Sequence, residues 1–433
     1  MIEENLDSPE NIENDFGFIS FVNKILKENE KLFQEYPLAS LEKVKYYLER
    51  DIAGFGLIDP LMNDPNIEDI SCSGIETPIY IWHRKYDSIP CNISFEDDRL
   101  NSFVSRIVFR AGKHISSAHP ISDLALEGNH RISVLYQKEV TPKGTSFTIR
   151  KFKQDPYSII DLISFGTISI DIAAYLWLLM EAKMSIMVIG STGSGKTTIL
   201  NAITGLSNPD YKIFSVEDVA EINIKHENWF SLVSRTGYGT SGEGEIGLYD
   251  LIKSGVRHRP DYIVVGEIRG SEAYVMFQAM ATGHGGLCTM HADSLESACK
   301  RLQQKPMDIP PSYLSLMNCA IVIRRVKDQQ GKSTRKAVTV EEIENSTTFH
   351  SSFNWDPRSD YFNANLENSI MLEKISEQTG QDIEKILEEF ERRKKVLKWL
   401  LQRGIRSYDK VAETIGKYYR DSEALMKKVE YGV

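Results

Sequence analysis

SIMVIGSTGSGKTTIL, residues 185–200, starts as a run of strand-forming apolar residues and ends as the opening of a helix. Between the two lies GSTGSGKT, 190–197, a full match to the pattern GxxxxGK[ST]. With glycine at about 7% of residues, a chance match in a chain this long is on the order of one or two in a hundred. A buried-type strand before the motif and a helix after it are the context that a phosphate-binding loop requires. Glycines let the backbone amides turn inward around a β-phosphate, and the following helix N-terminus adds a favourable dipole. The stretch expected to cradle a nucleotide is Gly190, Ser191, Thr192, Gly193, Ser194, Gly195, Lys196, Thr197 and Thr198. Lys196 is placed to reach the β- and γ-phosphates, and Thr197 to set its hydroxyl on Mg²⁺.

Working outward, the text alternates strands and helices, which implies a mostly parallel sheet covered on both faces. Ligands of such sheets sit at the carboxyl ends of the strands. Three further strands end in polar residues there. KIFSV ends in Glu217 and Asp218, with Glu221 close behind; YIVVG ends in Glu267, with Arg269 two residues on; GLCTM ends in His291, preceded by His284 in ATGHGG. A carboxylate is needed to orient or deprotonate an attacking water, and a histidine can hydrogen-bond phosphoryl oxygens or sense their loss. The reading is a hydrolase. One feature of VVGEIRG, 264–270, stands against it: glycine occupies 266, where a magnesium-binding aspartate is expected.

At 433 residues and 41% hydrophobic content the chain has material for two or three domains with a sizeable core. Its net charge of −10 makes free nucleic acid an unexpected partner. Five cysteines without a CxxC pair argue against both structural zinc and a disulfide framework. No apolar run approaches the roughly 18–20 residues of a membrane span, and the acidic start is unlike a signal peptide, so a cytoplasmic chain is expected.

The domain plan expected is an acidic, disordered tail over 1–35, an α+β domain over 36–153, a hinge linker over 154–168, a P-loop domain over 169–365, and a helical region over 366–433. Residues 327–336, KDQQGKSTRK, read as an exposed polar loop. In the last region Ile383, Ile386, Leu387, Phe390, Leu397, Leu400 and Leu401 are assigned to one helix face, with Gly404 as its C-cap. The basic run 392–395 follows three glutamates at helical spacing and reads as a solvated face.

GSTGSGKTT, the acidic box VEDVAEI, VVGEIRG and ATGHGGLCTMH occur here in the order of the four signatures of the type II/IV secretion ATPase superfamily, which the chain resembles beyond about residue 35. RDIAGFGLIDPLMNDPNIEDISCSG and the C-terminal RRKKVLKWLLQRGIRSYDKVAETIGKYYRD look like its archaeal branch. The resemblance implies an α/β fold, a RecA-like P-loop NTPase domain preceded by a smaller α+β N-terminal domain and followed by a C-terminal helical region. It also implies ATP and Mg²⁺ as ligands, a homohexamer, and a polytopic membrane platform protein as partner. Pilin-like filament subunits would be reached indirectly, from the cytoplasmic face of the membrane. A pilus or secretion role is the expectation, with an archaellum motor or a RecA-like nucleic-acid translocase as alternatives. Carried over by residue, Glu267 is the catalytic carboxylate, and Glu217 and Asp218 support water or Mg²⁺, Glu217 through water. His284 and His291 couple the γ-phosphate to domain movement. Arg131 and Arg150 match arginines that reach phosphates, and Arg257, Arg259 and Arg269 match charge-neutralising or intersubunit residues. Val219 and Ala220 depart from the family, replacing the Thr or Pro usual after the Glu-Asp pair, and the tetracysteine zinc module of many relatives is absent. Glycine at 266 is the rule in this family.

Overall fold

A computed structural model of the protein describes residues 37–431 except 139, 154, 236–243, 329, 330 and 332. The acidic tail expected over 1–35 lies outside the described residues. The chain divides into two compact units after Lys153.

The first unit runs α1 (Leu38–Leu48), α2 (Asp59–Asn63), β1 (Ile67–Cys72), β2 (Tyr80–His83), β3 (Asp87–Pro90), α3 (Asp97–Arg110), β4 (Ile121–Ala125), β5 (Arg131–Leu135) and β6 (Ser146–Arg150). Its strands pair antiparallel in the order β3-β2-β1-β6-β5-β4. Alternation drives this sheet: Ile132 and Val134 on β5, and Phe147 and Ile149 on β6, point into a core. Leu100, Phe103, Val104, Ile107 and Val108 of α3 close that core at the spacing of one helix face. The opposite parity carries Arg131 and Arg150, which stand directly across from each other.

The second unit contains α4 (Ile159–Ser164), α5 (Ile170–Glu181), β7 (Ile186–Gly190), α6 (Lys196–Thr204), β8 (Ile213–Glu217), β9 (Trp229–Val233), α7 (Leu248–Val256), β10 (Tyr262–Val265), α8 (Glu272–Ala281), β11 (Gly285–Met290), α9 (Leu295–Leu302), and the strands β12 (Cys319–Lys327), β13 (Ser333–Ile343), β14 (Phe349–Asp356) and β15 (Tyr361–Ala364). The helices α10 (Ile370–Thr379), α11 (Ile383–Gln402), α12 (Tyr408–Arg420) and α13 (Ser422–Tyr431) follow. Among the described residues one sheet has the order β15-β14-β13-β12-β7-β11-β10-β8-β9, parallel from β12 to β9 and antiparallel from β12 to β15. Strand β7 is buried on both faces, as parallel strands are: Ile186 and Val188 feed one core, and Met187 and Ile189 the other.

Three local expectations change. The segment read as a hinge linker, 154–168, includes α4, which is closed by a capping box between Ser158 and Asp161 and buries Ile159, Ile160 and Leu162. Its apolar residues are spent on the second unit's core. The stretch 327–336 is no loop throughout: Lys327 ends β12 and Ser333 starts β13, so the polar residues form the arms of a hairpin. Ile383 and Leu387 are 41% and 38% exposed, whereas Ile386, Phe390, Leu397 and Leu400 are buried, so the packed face of α11 is narrower than its apolar pattern.

The basic run on α11 departs most from a solvated face. Arg393 is 1% exposed. Its Nε donates to Glu389 Oε1 at 3.0 Å, its Nη2 donates to Glu181, and its guanidinium lies 5.0 Å from the ring centre of Trp177. Tyr418 also donates to Glu389 Oε1, at 2.8 Å, and its ring packs at a tilt against Trp177, centroids 5.0 Å apart. Lys394 reaches Asp171 and Glu391. One buried cation thus joins α5, α11 and α12. Gly404 takes φ +66° just after α11, a backbone region that favours glycine.

Breaking a buried ion pair from one side leaves uncompensated charge and lost packing. Arg393→Ala is therefore expected to destabilise the full chain by about 3 kcal/mol in urea denaturation. Lys398→Ala, an exposed charge on the same helix, is expected to cost less than about 0.5 kcal/mol.

Candidate active site

The strand order brings four carboxyl ends side by side: β7 with the phosphate loop, β11 with His291, β10 with Glu267, and β8 with Glu217. Gly193 and Gly195 have φ of +70° and +97°, which turns the loop before α6 begins at Lys196. Gly190 has no room for a side chain, since a Cβ there would lie 2.5 Å from Ser194 Oγ and 2.6 Å from the Ile323 carbonyl oxygen. Lys196 Nζ donates to the Ser191 carbonyl at 3.2 Å. Burial lowers its pKa, against the opposing pull of Glu267 and Glu221. Those two carboxylates therefore lie within electrostatic reach of the lysine meant for the phosphates.

Thr197 Oγ1 donates to Glu221 Oε2 at 3.1 Å. Glu221 is the acid that the acidic box delivers to the loop. The box is clasped by α6: Asn201 Nδ2 donates to the Glu221 carbonyl, and Asn201 Oδ1 accepts from the Asn223 amide. The pair Thr197–Glu221 supplies oxygen ligands of the hard kind that Mg²⁺ takes beside substrate phosphates and water. Among the described residues no group of three or more His, Cys, Asp or Glu is placed to hold a metal without phosphate help.

Glu217 has a different situation. It is 2% exposed; its Oε1 accepts the backbone amides of Glu221 at 3.0 Å and Ile222 at 2.8 Å. Burial pushes its pKa up to about 8, although those amides pull the other way. Its Oε2 is buried and has no hydrogen-bond partner among the described residues. A Cβ at Gly266 would lie 2.9 Å from Glu217 Cγ and 3.2 Å from its Oε1. The side chain of Glu217 thus fills the space that an aspartate at 266 would need. Asp218 is exposed and accepts from Ser234 Oγ at 3.2 Å.

Glu267 Oε2 accepts from Arg269 Nη2 at 2.5 Å, and the amides of Arg269 and Gly270 bond to Glu272 Oε1 at the start of α8. The turn that carries Glu267 is held from both flanks, because the Gly266 amide donates to Val216 on β8 and the Ile268 amide to Thr289 on β11. His291 is exposed at the carboxyl end of β11, where its carbonyl accepts from Arg301.

His284 is not brought to this end. It precedes β11, bonded through Nδ1 to the Pro260 carbonyl at 2.6 Å, roughly 20 Å from His291 along an extended strand. Arg257 and Arg259 follow α7 and precede β10, so they too lie exposed at the amino ends. Arg131 and Arg150 belong to the first unit, where they pair with Asp123 at 3.7 Å and Asp69 at 3.2 Å.

The profile of the type II/IV secretion system protein family matches residues 62–359. The chain belongs to that family. Residues 358–432 match a PilB3-like C-terminal profile. An uncharacterized protein of Methanocaldococcus jannaschii is 39% identical over 388 residues, 87% of this chain and 70% of its own length. The type IV secretion system protein PtlH of Bordetella pertussis is 29% identical over 280 residues, 56% of this chain and 80% of its own. An X-ray structure of the Legionella pneumophila ATPase DotB aligns over 86% of this chain and 94% of its own, at 16% identity and a TM-score of 0.47. Among the described residues, no helix is long and apolar enough to cross a membrane.

Two expectations follow from Glu217. Between pH 4.5 and about 8 the folded chain keeps a proton there that an unfolded chain releases, so stability contributed by this group falls as pH rises through that window. The slope from one such proton reaches about 1.4 kcal/mol per pH unit. Glu217→Gln should flatten that part of the stability–pH curve measured by denaturation. Separately, Gly266→Ala should destabilise by about 1–3 kcal/mol through overpacking, and Glu217→Ala in the same chain should recover part of the loss. A double-mutant cycle with additive costs would show that the two positions do not compete for space.

Proposed function

We propose that the chain is an ATPase of the secretion and pilus-assembly type, working as a homohexamer on a polytopic platform protein at the cytoplasmic face of a membrane. Its turnover would power a type IV pilus-like filament or type II-like secretion, the pilin-like subunits being moved indirectly. The observation that carries the catalytic part is the convergence of Lys196, Glu221 and Glu267 on one phosphate loop, with Thr197 bonded to Glu221. Family membership supports the motor role.

In this reading the amides around Gly193–Lys196 hold the β-phosphate, and Lys196 neutralises the β- and γ-phosphates. Thr197, beside Glu221, would hold Mg²⁺ together with the phosphates, and the ion would supply charge neutralisation of the phosphate oxygens. Glu267 accepts a proton from the water whose oxygen attacks the γ-phosphorus, while the bond from that phosphorus to the bridging oxygen breaks and ADP departs. Arg269, now paired with Glu267, is close enough to shift its charge toward the phosphates as they bind. Glu217 serves by holding the acidic box through two amides, and Asp218 stays at the exposed rim. His291, at the carboxyl end of β11, would be the histidine that registers the γ-phosphate.

Arg131 and Arg150 bring paired positive charge on one sheet face, a disposition suited to phosphate. Arg257 and His284, at the amino ends of the strands, are left for contacts with a neighbouring copy. A net charge of −10 speaks against a nucleic-acid translocase.

Glu267→Gln is expected to bind ATP in equilibrium titration as the parent chain does, while steady-state phosphate release falls about 10²-fold or more. Undiminished turnover in that variant would sink the role given to Glu267.

A further inference from the structure

We propose that Arg335 is a nucleotide-binding residue that grips the nucleoside side of the phosphate loop. The inference rests on the ATP reading above and adds to it a residue from outside the four signature boxes. Arg335 lies on β13, two strands from β7, and its Nε donates to the Gly193 carbonyl at 3.3 Å. Its stem lies along the loop as well: a Cβ at Gly195 would stand 3.2 Å from Arg335 Cδ and 3.5 Å from Ile323 Cδ1. The hairpin β12–β13 therefore forms one wall of the loop, with Ile323 beneath it and Arg335 along its shoulder.

The sheet order gives this wall a direction. On one flank of β7 stand β11, β10 and β8, which carry His291, Glu267 and the acidic box; on the other stand β12 and β13. Lys196 feels Glu267 and Glu221, so the γ-phosphate end of a nucleotide faces the first flank. The α-phosphate and the nucleoside then leave toward the second, where Arg335 waits. An arginine bonded through Nε to a carbonyl keeps the rest of its planar fork for an anion or an acceptor on a base or ribose.

Cross-strand chemistry points the same way. Arg335 stands directly opposite Arg325, whose Nε donates to Ser333 Oγ. Two guanidinium groups on adjacent strands concentrate positive charge on this side of the loop, which suits an anion. Arg335 itself is exposed.

The test is calorimetric titration of the full chain with ADP and, in the presence of Mg²⁺, with ATP. Arg335→Met keeps the apolar stem against Gly195 and removes the fork; Arg335→Ala removes both. Both variants are expected to weaken ADP and ATP by a similar factor, about tenfold, the worth of one charge-assisted contact. Lys398→Ala, which removes an exposed charge on α11, is the control and should leave both affinities as they are. Wild-type affinity for ADP in Arg335→Met overturns the inference, and so does a loss confined to ATP, which would place the contact at the γ-phosphate. If Arg335→Ala alone weakens binding, the stem props the loop and the fork does not touch the nucleotide, which also overturns it. Failure of the parent chain to bind either nucleotide would instead strike the ATPase reading.

Discussion

The carboxyl group of Glu217, at the end of β8, lies against the open position of Gly266 at the end of β10, and the site is arranged around that contact. With no side chain at 266, Glu217 folds over the end of β10 and takes the amides of Glu221 and Ile222. That grip turns the acidic box back toward α6, and Glu221 then meets Thr197. A glycine that looks like a missing ligand in the sequence is the space in which another strand's glutamate does its positioning. Burial is the cost, visible in the raised pKa of Glu217 and its unpartnered second oxygen.

The parallel core of the sheet divides chemistry by end. Glu267, His291 and the acidic box lie at the carboxyl ends of strands beside the phosphate loop, while His284, Arg257 and Arg259 lie at the amino ends near Pro260. Residues only seven positions apart in sequence thus fall at opposite ends according to which side of a strand they flank. His284 and His291 make the case plainly: one strand separates them.

Stability and function draw on different parts of the second unit. The C-terminal helices are fastened through Arg393, which couples Glu181 on α5 to Glu389 on α11 over the ring of Trp177. This contact lies within the helical layer, whereas the phosphate loop is walled by the β12–β13 hairpin. Charge in a basic run is usually spent on solvent; here the one guanidinium that faces α5 is buried with two carboxylates and two aromatic rings.

The phosphate loop, the alternation of strands and helices and the polar residues at three strand ends were all legible in the sequence, because local period and glycine placement encode them. The reading of 327–336 as a loop failed because a hairpin whose arms are polar lacks the apolar period that marks strands. Arg335 was invisible for the same reason, since its partner Gly193 is 142 residues away. The sequence also showed Glu217, Asp218 and Glu221 as near neighbours but could not rank them. Burial at the β8–β10 seam decided that Glu217 holds the box, Glu221 meets Thr197 and Asp218 faces out. By itself the sequence determined the phosphate cradle and the set of acids around it. Their division of labour was decided only in three dimensions, because it depends on which side chains the packed strands leave room for.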